Sequence, residues 1–80
     1  MATEDALQTI VRVVSPYVGE TMARSSAAAH CEKLGIGVEI APDQLEALIA
    51  RFGSGLNIFL GRDKSSRVVE EMRQALRSPK

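Results

Sequence analysis

The chain is poor in the side chains that carry out chemistry. It has one histidine, one cysteine, one tyrosine and no tryptophan among its 80 residues. His30 and Cys31 are adjacent, but neighbouring residues on a helix diverge by about 100° and do not face each other. An activated thiolate needs a base oriented by a third group, and one His with one Cys cannot complete a four-ligand zinc site. We therefore expect no catalytic residue, no bound metal and no cofactor.

Net charge and long apolar runs are also absent. Ten basic side chains balance ten acidic ones, so the chain lacks the broad positive field that attracts nucleic-acid backbones. No apolar run approaches the ~18 residues of a membrane span, and the first five residues are acidic where a signal peptide is basic. A lone cysteine excludes an internal disulfide and fits a reducing compartment. These absences predict a cytoplasmic protein without membrane contact and disfavour nucleic acid as a partner.

The composition is that of a small folded domain. Hydrophobic residues make up 45% of the chain and charged residues 25%, which is too apolar for a disordered segment. We expect a single domain over residues 1–80. A chain of this length buries only about 60% of the surface that its unfolded form exposes. Any apolar surface left over is then a candidate for docking or self-association.

Helical patterns cover most of the sequence. Apolar residues recur at helical spacing in three stretches: Leu7, Ile10, Val11 and Val14; Leu45, Leu48, Ile49 and Phe52; Val68, Met72, Ala75 and Leu76. Ser15-Pro16 ends or kinks the first helix, and we favour a break. The second helix then runs from Pro16 to about Leu34, with Gly35 as a left-handed cap. Gly53 is expected to end the third helix.

Two segments interrupt this helical pattern. Residues 36–40 alternate like a strand without a partner, and we interpret them as an extended linker whose Ile36, Val38 and Ile40 enter the core. Residues 53–61 read Gly-Ser-Gly-Leu-Asn-Ile-Phe-Leu-Gly, and their consecutive apolar residues predict a short buried turn, with Phe59 buried in the domain or at an interface. The predicted fold is all-α, a compact bundle of four main helices plus this short buried helical turn.

The second helix is unusual for its small side chains. Residues 23–29 read Ala-Arg-Ser-Ser-Ala-Ala-Ala, and small residues let another helix approach closely. We expect a stripe of Val18, Met22, Ser25 or Ser26, and Ala29 to pack in the centre of the bundle. A close-contact dimer face is the alternative.

Charge is uneven along the chain although it sums to zero. Three acidic residues without a basic one occupy residues 36–50: Glu39, Asp43 and Glu46. Residues 51–80 hold seven basic residues against three acidic ones, and three of the basic ones precede or open the last helix: Arg62, Lys64 and Arg67. Such asymmetry can orient a partner or a second copy of the chain. These six residues are the predicted partner-binding residues.

One resemblance concerns residues 17–24, which read Tyr-Val-Gly-Glu-Thr-Met-Ala-Arg. With the later Leu-Glu-Ala-Leu-Ile at residues 45–49, this run resembles helical stretches appended to some bacterial signalling proteins. In those stretches an aromatic residue, a glycine and a small-basic pair precede a leucine-rich helix. Glu20 stands where that pattern has proline, and the resemblance covers roughly half the chain. It implies a regulatory or scaffolding helical module with no catalytic residues to carry over.

Two functional hypotheses follow. The first is a small non-catalytic interaction or regulatory module, in bacterial signalling or scaffolding, that binds another protein or itself as a homodimer. The second is a small DNA-binding transcriptional regulator that uses the basic C-terminal third. The second is weaker because the apolar residues 56–60 offer only Asn57 to a base edge. No small-molecule substrate is indicated.

Overall fold

The computed structural model describes residues 2–77, which form four α-helices. These are α1 (Thr3–Val18), α2 (Glu20–Leu34), α3 (Pro42–Leu60) and α4 (Arg62–Arg77). Each helix packs against the next one, and α1 packs against α4, so the four helices enclose one core. The bundle measures 31 × 26 × 21 Å. The prediction of an all-α bundle with four main helices is confirmed.

The core is built from the predicted apolar stripes of α1, α3 and α4. Its largest fully buried side chains are Ile10 and Val14 from α1, Leu48 and Ile49 from α3, and Val68 and Met72 from α4. Ile10 and Val14 are four positions apart, as are Val68 and Met72, and Leu48 and Ile49 precede buried Phe52 by four and three positions. This spacing places side chains on one face of a helix. Leu7 and Val11, predicted on the same stripe of α1, are only half-buried against the core.

The break between the first two helices lies at Gly19, so the break predicted at Ser15-Pro16 is wrong. Pro16 lies in the last turn of α1, where a missing N–H removes one hydrogen bond near the helix end. The amide of Gly19 donates to the Ser15 carbonyl oxygen at 2.8 Å and closes the helix. Gly19 has a φ of 94°, a conformation that glycine tolerates and L side chains disfavour.

Gly35 ends α2 as predicted. Its φ of 67° and ψ of 32° are left-handed, and the amide of Ile36 donates to the Cys31 carbonyl oxygen at 3.1 Å. The following linker is tied to the start of α1, because Thr3 Oγ1 donates to the Gly37 carbonyl oxygen at 2.6 Å. Ile40 is buried and Ile36 packs against the core. Val38 is 85% exposed, so the prediction that it enters the core is wrong.

Residues 53–60 continue α3 and do not form a separate turn. Gly53 does not end the helix, and Gly61 caps it with a φ of 89°. Leu56 is buried and extends the stripe of Phe52 by one more turn. The predicted short buried helical turn is therefore wrong. Phe59 is 58% exposed, so its predicted burial inside the domain is also wrong, and burial at an interface stays a prediction.

The buried stripe of α2 differs from the predicted one. Ala23, Ala27 and Cys31 are buried, whereas Ser25, Ala28 and Ala29 are exposed. Met22 is 46% exposed. Ala23 and Ala27, the small residues that pack against the neighbouring helices, are each one position away from Met22 and Ser26 of the expected stripe. Of that stripe, Met22 and Ala29 face outward, whereas Val18, at the end of α1, is half-buried against the core.

Candidate protein-interaction surface

The six predicted partner-binding residues are all exposed and fall into two separate groups. Glu39 lies in the linker, and Asp43 and Glu46 lie in the first turns of α3, whereas Arg62, Lys64 and Arg67 lie in the first half of α4. Helices α3 and α4 are antiparallel, because Ser65 Oγ donates to the Gly53 carbonyl oxygen and Arg73 pairs with Glu46. The start of α3 therefore lies beside the end of α4. The acidic and basic groups are at opposite ends of the α3–α4 pair.

Glu46, in the acidic group, is already engaged. Glu46 accepts a hydrogen bond from Arg73 and forms an ion pair with it. Arg62 and Arg73 are separated by about 16 Å of helix, at 1.5 Å per residue. The structure therefore does not bring the acidic and basic residues into one site, and a partner would meet them as two surfaces.

The sequence-based interpretation missed a stronger feature, a set of exposed apolar side chains. Within residues 2–77, four large hydrophobic residues are exposed: Met22 by 46%, Val38 by 85%, Ile58 by 91% and Phe59 by 58%. Val38 is in the linker. The other three lie on α2 and on the C-terminal half of α3, which pack against each other. Met22 and Phe59 line the same recess, and Ile58 lines an adjoining one.

A groove of about 200 Å³ lies between α2 and α3 beside these side chains, and Val14 and Val18 of α1 also line it. Met22, Ser26 and His30 line it from α2, where their spacing of four residues keeps them on one face. Gly55 and Phe59 line it from α3 at the same spacing. Leu56 and Phe52 contribute to its inner wall. We call this groove together with Met22, Ile58 and Phe59 the α2/α3 surface.

Glycine at position 55 keeps the groove open. A Cβ atom placed on Gly55 would meet nothing within 4 Å, whereas one on Gly53 would lie 3.0 Å from Cγ2 of Val69. Gly53 thus permits the close approach of α4, and Gly55 leaves a recess on the α2 side. The two glycines are two positions apart and lie on different faces of α3.

Alanine substitutions should separate these two roles. Gly55→Ala is expected to raise the free energy of unfolding by roughly 0.5–1 kcal/mol, because alanine is the better helix former and meets no neighbour. Gly53→Ala should show a smaller gain or a loss, since its methyl group crowds Val69. Urea unfolding followed by circular dichroism measures both variants. Equal stabilisation by both would contradict the close approach at Gly53.

His30 forms the polar end of the groove. Its ring meets Phe52 edge-on at a centroid distance of 5.0 Å. Arg51 Nε donates a long hydrogen bond to His30 Nδ1 at 3.5 Å. Burial lowers the pKa of His30 below its usual 6.5, and the nearby charges of Arg51 and Lys33 lower it further. His30 is therefore neutral at pH 7, and its surroundings are positively charged.

The lowered pKa predicts a loss of stability in acid. Since the folded protein binds the His30 proton less readily than the unfolded chain does, the free energy of unfolding falls as pH drops below about 6.5. Comparing urea unfolding at about pH 7.5 and about pH 5 for the native protein and His30→Gln isolates this contribution. The variant should lose less stability on acidification. An equal loss in both proteins would show that other groups account for it.

A second groove, of about 700 Å³, lies between α1 and α2. Leu7 and Val11 contribute half-buried apolar side chains to it, and its edges carry charges of both signs. Two of those charges satisfy each other, because Arg24 donates to Glu20 Oε2 through Nε at 3.0 Å and through Nη2 at 2.8 Å. This groove is larger but less apolar at its edges than the α2/α3 surface, and no large hydrophobic side chain along it is exposed.

The reactive side chains do not form a chemical site. Cys31 is buried with a free thiol, and His30 is directed to Phe52 and Arg51. Among residues 2–77 no three His, Cys, Asp or Glu side chains are grouped as metal ligands would be. No helix in this described part of the chain combines the length and the apolar character that crossing a membrane requires.

Comparisons of the chain with protein-family models, with curated proteins and with solved structures found no match. The resemblance of residues 17–24 to helical modules of bacterial signalling proteins therefore stays a prediction.

Proposed function

We propose that this protein is a non-catalytic interaction module that binds another protein through the α2/α3 surface. The observation that carries the proposal is the exposure of Ile58 and Phe59, by 91% and 58%, beside an apolar groove on an ordered helix. Single exposed apolar residues are common on protein surfaces, but a contiguous group beside a recess marks a binding site.

The energetics of burial support this assignment. Complete burial of one Ile or Phe side chain contributes about 1.5–3 kcal/mol. Aromatic residues and Met are enriched in interfaces, and the few residues that fill well-packed pockets dominate the binding energy. A stable interface covers about 800 Å² per partner, which is about a sixth of the 5064 Å² surface of this chain. One side of a four-helix bundle supplies such an area.

The assignment as non-catalytic rests on the surroundings of the two candidate reagents. Burial keeps the Cys31 thiol from a substrate, and Arg51 already donates to the ring nitrogen of His30 that a base would use. Together with the resemblance to bacterial signalling modules, this favours a regulatory or scaffolding role in the cytoplasm.

The alternative, DNA binding by the basic C-terminal third, has less support. Arg73 is paired with Glu46, and the remaining basic residues of α4 are spread along it without a net positive charge on the chain. Binding that depends on few phosphate contacts is strongly weakened by salt. We expect at most weak retention on duplex DNA, lost near physiological salt.

Site-specific crosslinking tests the proposed function. A photoreactive amino acid at Ser54, exposed beside Ile58, should capture a discrete partner in the source cell, identified by mass spectrometry. The same group at exposed Gln74 on α4 is the matched control and should capture it weakly or not at all. Ile58→Lys should abolish capture from position 54 without lowering the melting temperature, because the Ile58 side chain is almost fully exposed.

Two results would contradict the proposal. One is equal labelling from positions 54 and 74, which would indicate collisions and not a docked partner. The other is capture that survives Ile58→Lys, which would place the interface elsewhere on the bundle.

A further inference from the structure

We infer that the partner presents an amphipathic helix with acidic residues to the α2/α3 surface. This inference rests on the proposed function and specifies the chemistry of its partner.

The shape of the groove fits a helix. It lies between two neighbouring helices, and the face of α3 that borders it has no side chain at Gly55. Met22 and Phe59 line the groove, and Ile58 lies beside them. A helix docked in such a groove inserts apolar residues spaced i, i+3 or i+4, and i+7.

The charge at the His30 end of the groove is positive. Among the described residues, no Asp or Glu side chain lines the groove itself or the adjoining recess that Arg51, Ser54 and Ile58 share with His30. Arg51 is on that recess, and Lys33 acts on His30 from α2. Arg62 lies just beyond, in a polar recess that also contains Ser54. At the other end, Glu20 shares a recess with Met22, and its carboxylate is paired with Arg24.

A second copy of the chain fits this surface less well. In a two-fold dimer the same patch meets itself, so the groups around Arg51, Lys33 and Arg62 would share one interface without an acidic counterpart. A second copy would also have to offer an exposed apolar helix face to the groove, but the helices of this chain bury their apolar stripes in their own core. A separate partner could place apolar residues in the groove and Asp or Glu next to the basic residues beside it.

Designed peptides test the charge preference directly. The probes are two helical peptide sets with leucine at i, i+3, i+4 and i+7, one flanked by Glu and the other by Lys. Fluorescence anisotropy at about 0.15 M salt measures their affinity for the full chain. We expect the Glu-flanked set to bind about tenfold more tightly or better. Arg51→Glu combined with Lys33→Glu should reverse the preference, and Arg12→Glu, on the other side of the bundle, should leave it unchanged.

Gly55→Leu should abolish binding of both sets, because leucine fills the open recess, and circular dichroism checks that the variant is folded. Ile58→Lys is the second variant should that one unfold. Groove-dependent binding without a charge preference would overturn the acidic partner and leave the interaction function intact. The inference is also overturned if neither peptide set binds, whether or not a single-stranded oligonucleotide binds instead. Formation of a homodimer that Gly55→Leu dissociates would overturn it as well. Absence of any captured partner from position 54 in the protein with native Ile58 would instead overturn the interaction function itself.

Discussion

Replacing Phe52 with alanine should lower the free energy of unfolding by about 3–5 kcal/mol, whereas Phe59→Ala should lower it by about 1 kcal/mol or less. The two substitutions remove the same atoms from the same helix. Phe52 is 3% exposed and packs in the core against His30, while Phe59 is 58% exposed. In a domain whose whole stability is about 5–15 kcal/mol, the first change removes a large share of it.

Urea unfolding followed by circular dichroism measures this pair, and the crosslinking assay measures its effect on binding. Phe59→Ala should retain the fold and lose partner capture. If the two variants were equally destabilised, the C-terminal half of α3 would be part of the core, and the α2/α3 surface would not exist as described. If Phe59→Ala kept full partner capture, Phe59 would lie outside the interface.

Periodicity alone located most of the core. Leu48, Ile49 and Phe52 were assigned to one face of a helix from their spacing, and so were Val68 and Met72, and all five are buried. The prediction succeeded because large apolar side chains recur there at helical spacing with polar or charged residues between them. Only one face of each helix is therefore apolar enough to point inward.

The helix boundaries were harder to predict, because Pro16 and Gly53 were interpreted as stops. One glycine in a helix interior costs about 1 kcal/mol, which tertiary packing can outweigh. At position 53 the absence of a side chain lets Val69 approach, and buried Leu56 extends the apolar stripe beyond it. The continuation of the stripe from Phe52 to Leu56 was the signal in the sequence that α3 continues.

The candidate site was only partly predictable because it depends on the same helix boundary at Gly53. Residues 53–61 were identified as apolar enough to require a core or an interface. Because they were assigned to a separate turn, the outward position of Ile58 and Phe59 was missed. The six charged residues were predicted from composition along the chain, which does not determine which helix faces meet. Of these, Arg62 lies in a recess that shares Ser54 with the recess next to the groove.

The α2 helix shows the limit of pattern recognition most directly. Two stripes of small residues run along it two positions apart, and the one with Ala23 and Ala27 is buried. The other, with Ser25 and Ala29, is exposed. Both stripes consist of small, weakly apolar residues. Their hydrophobicity therefore differs too little for the sequence to indicate which stripe is buried. The packing of the neighbouring helices determines which stripe is buried.

Leucine substitutions should distinguish the two stripes by experiment. Ala27→Leu is expected to lower the free energy of unfolding by about 1–3 kcal/mol through overpacking, because Ala27 is 2% exposed within the core. Ala29→Leu should change it by no more than about 0.5 kcal/mol, since Ala29 is exposed. Leucine and alanine are both strong helix formers, so a difference between the variants reports packing and not helix propensity. Destabilisation by Ala29→Leu with tolerance at Ala27 would show that α2 is rotated about its axis, which would also move Met22 away from the groove.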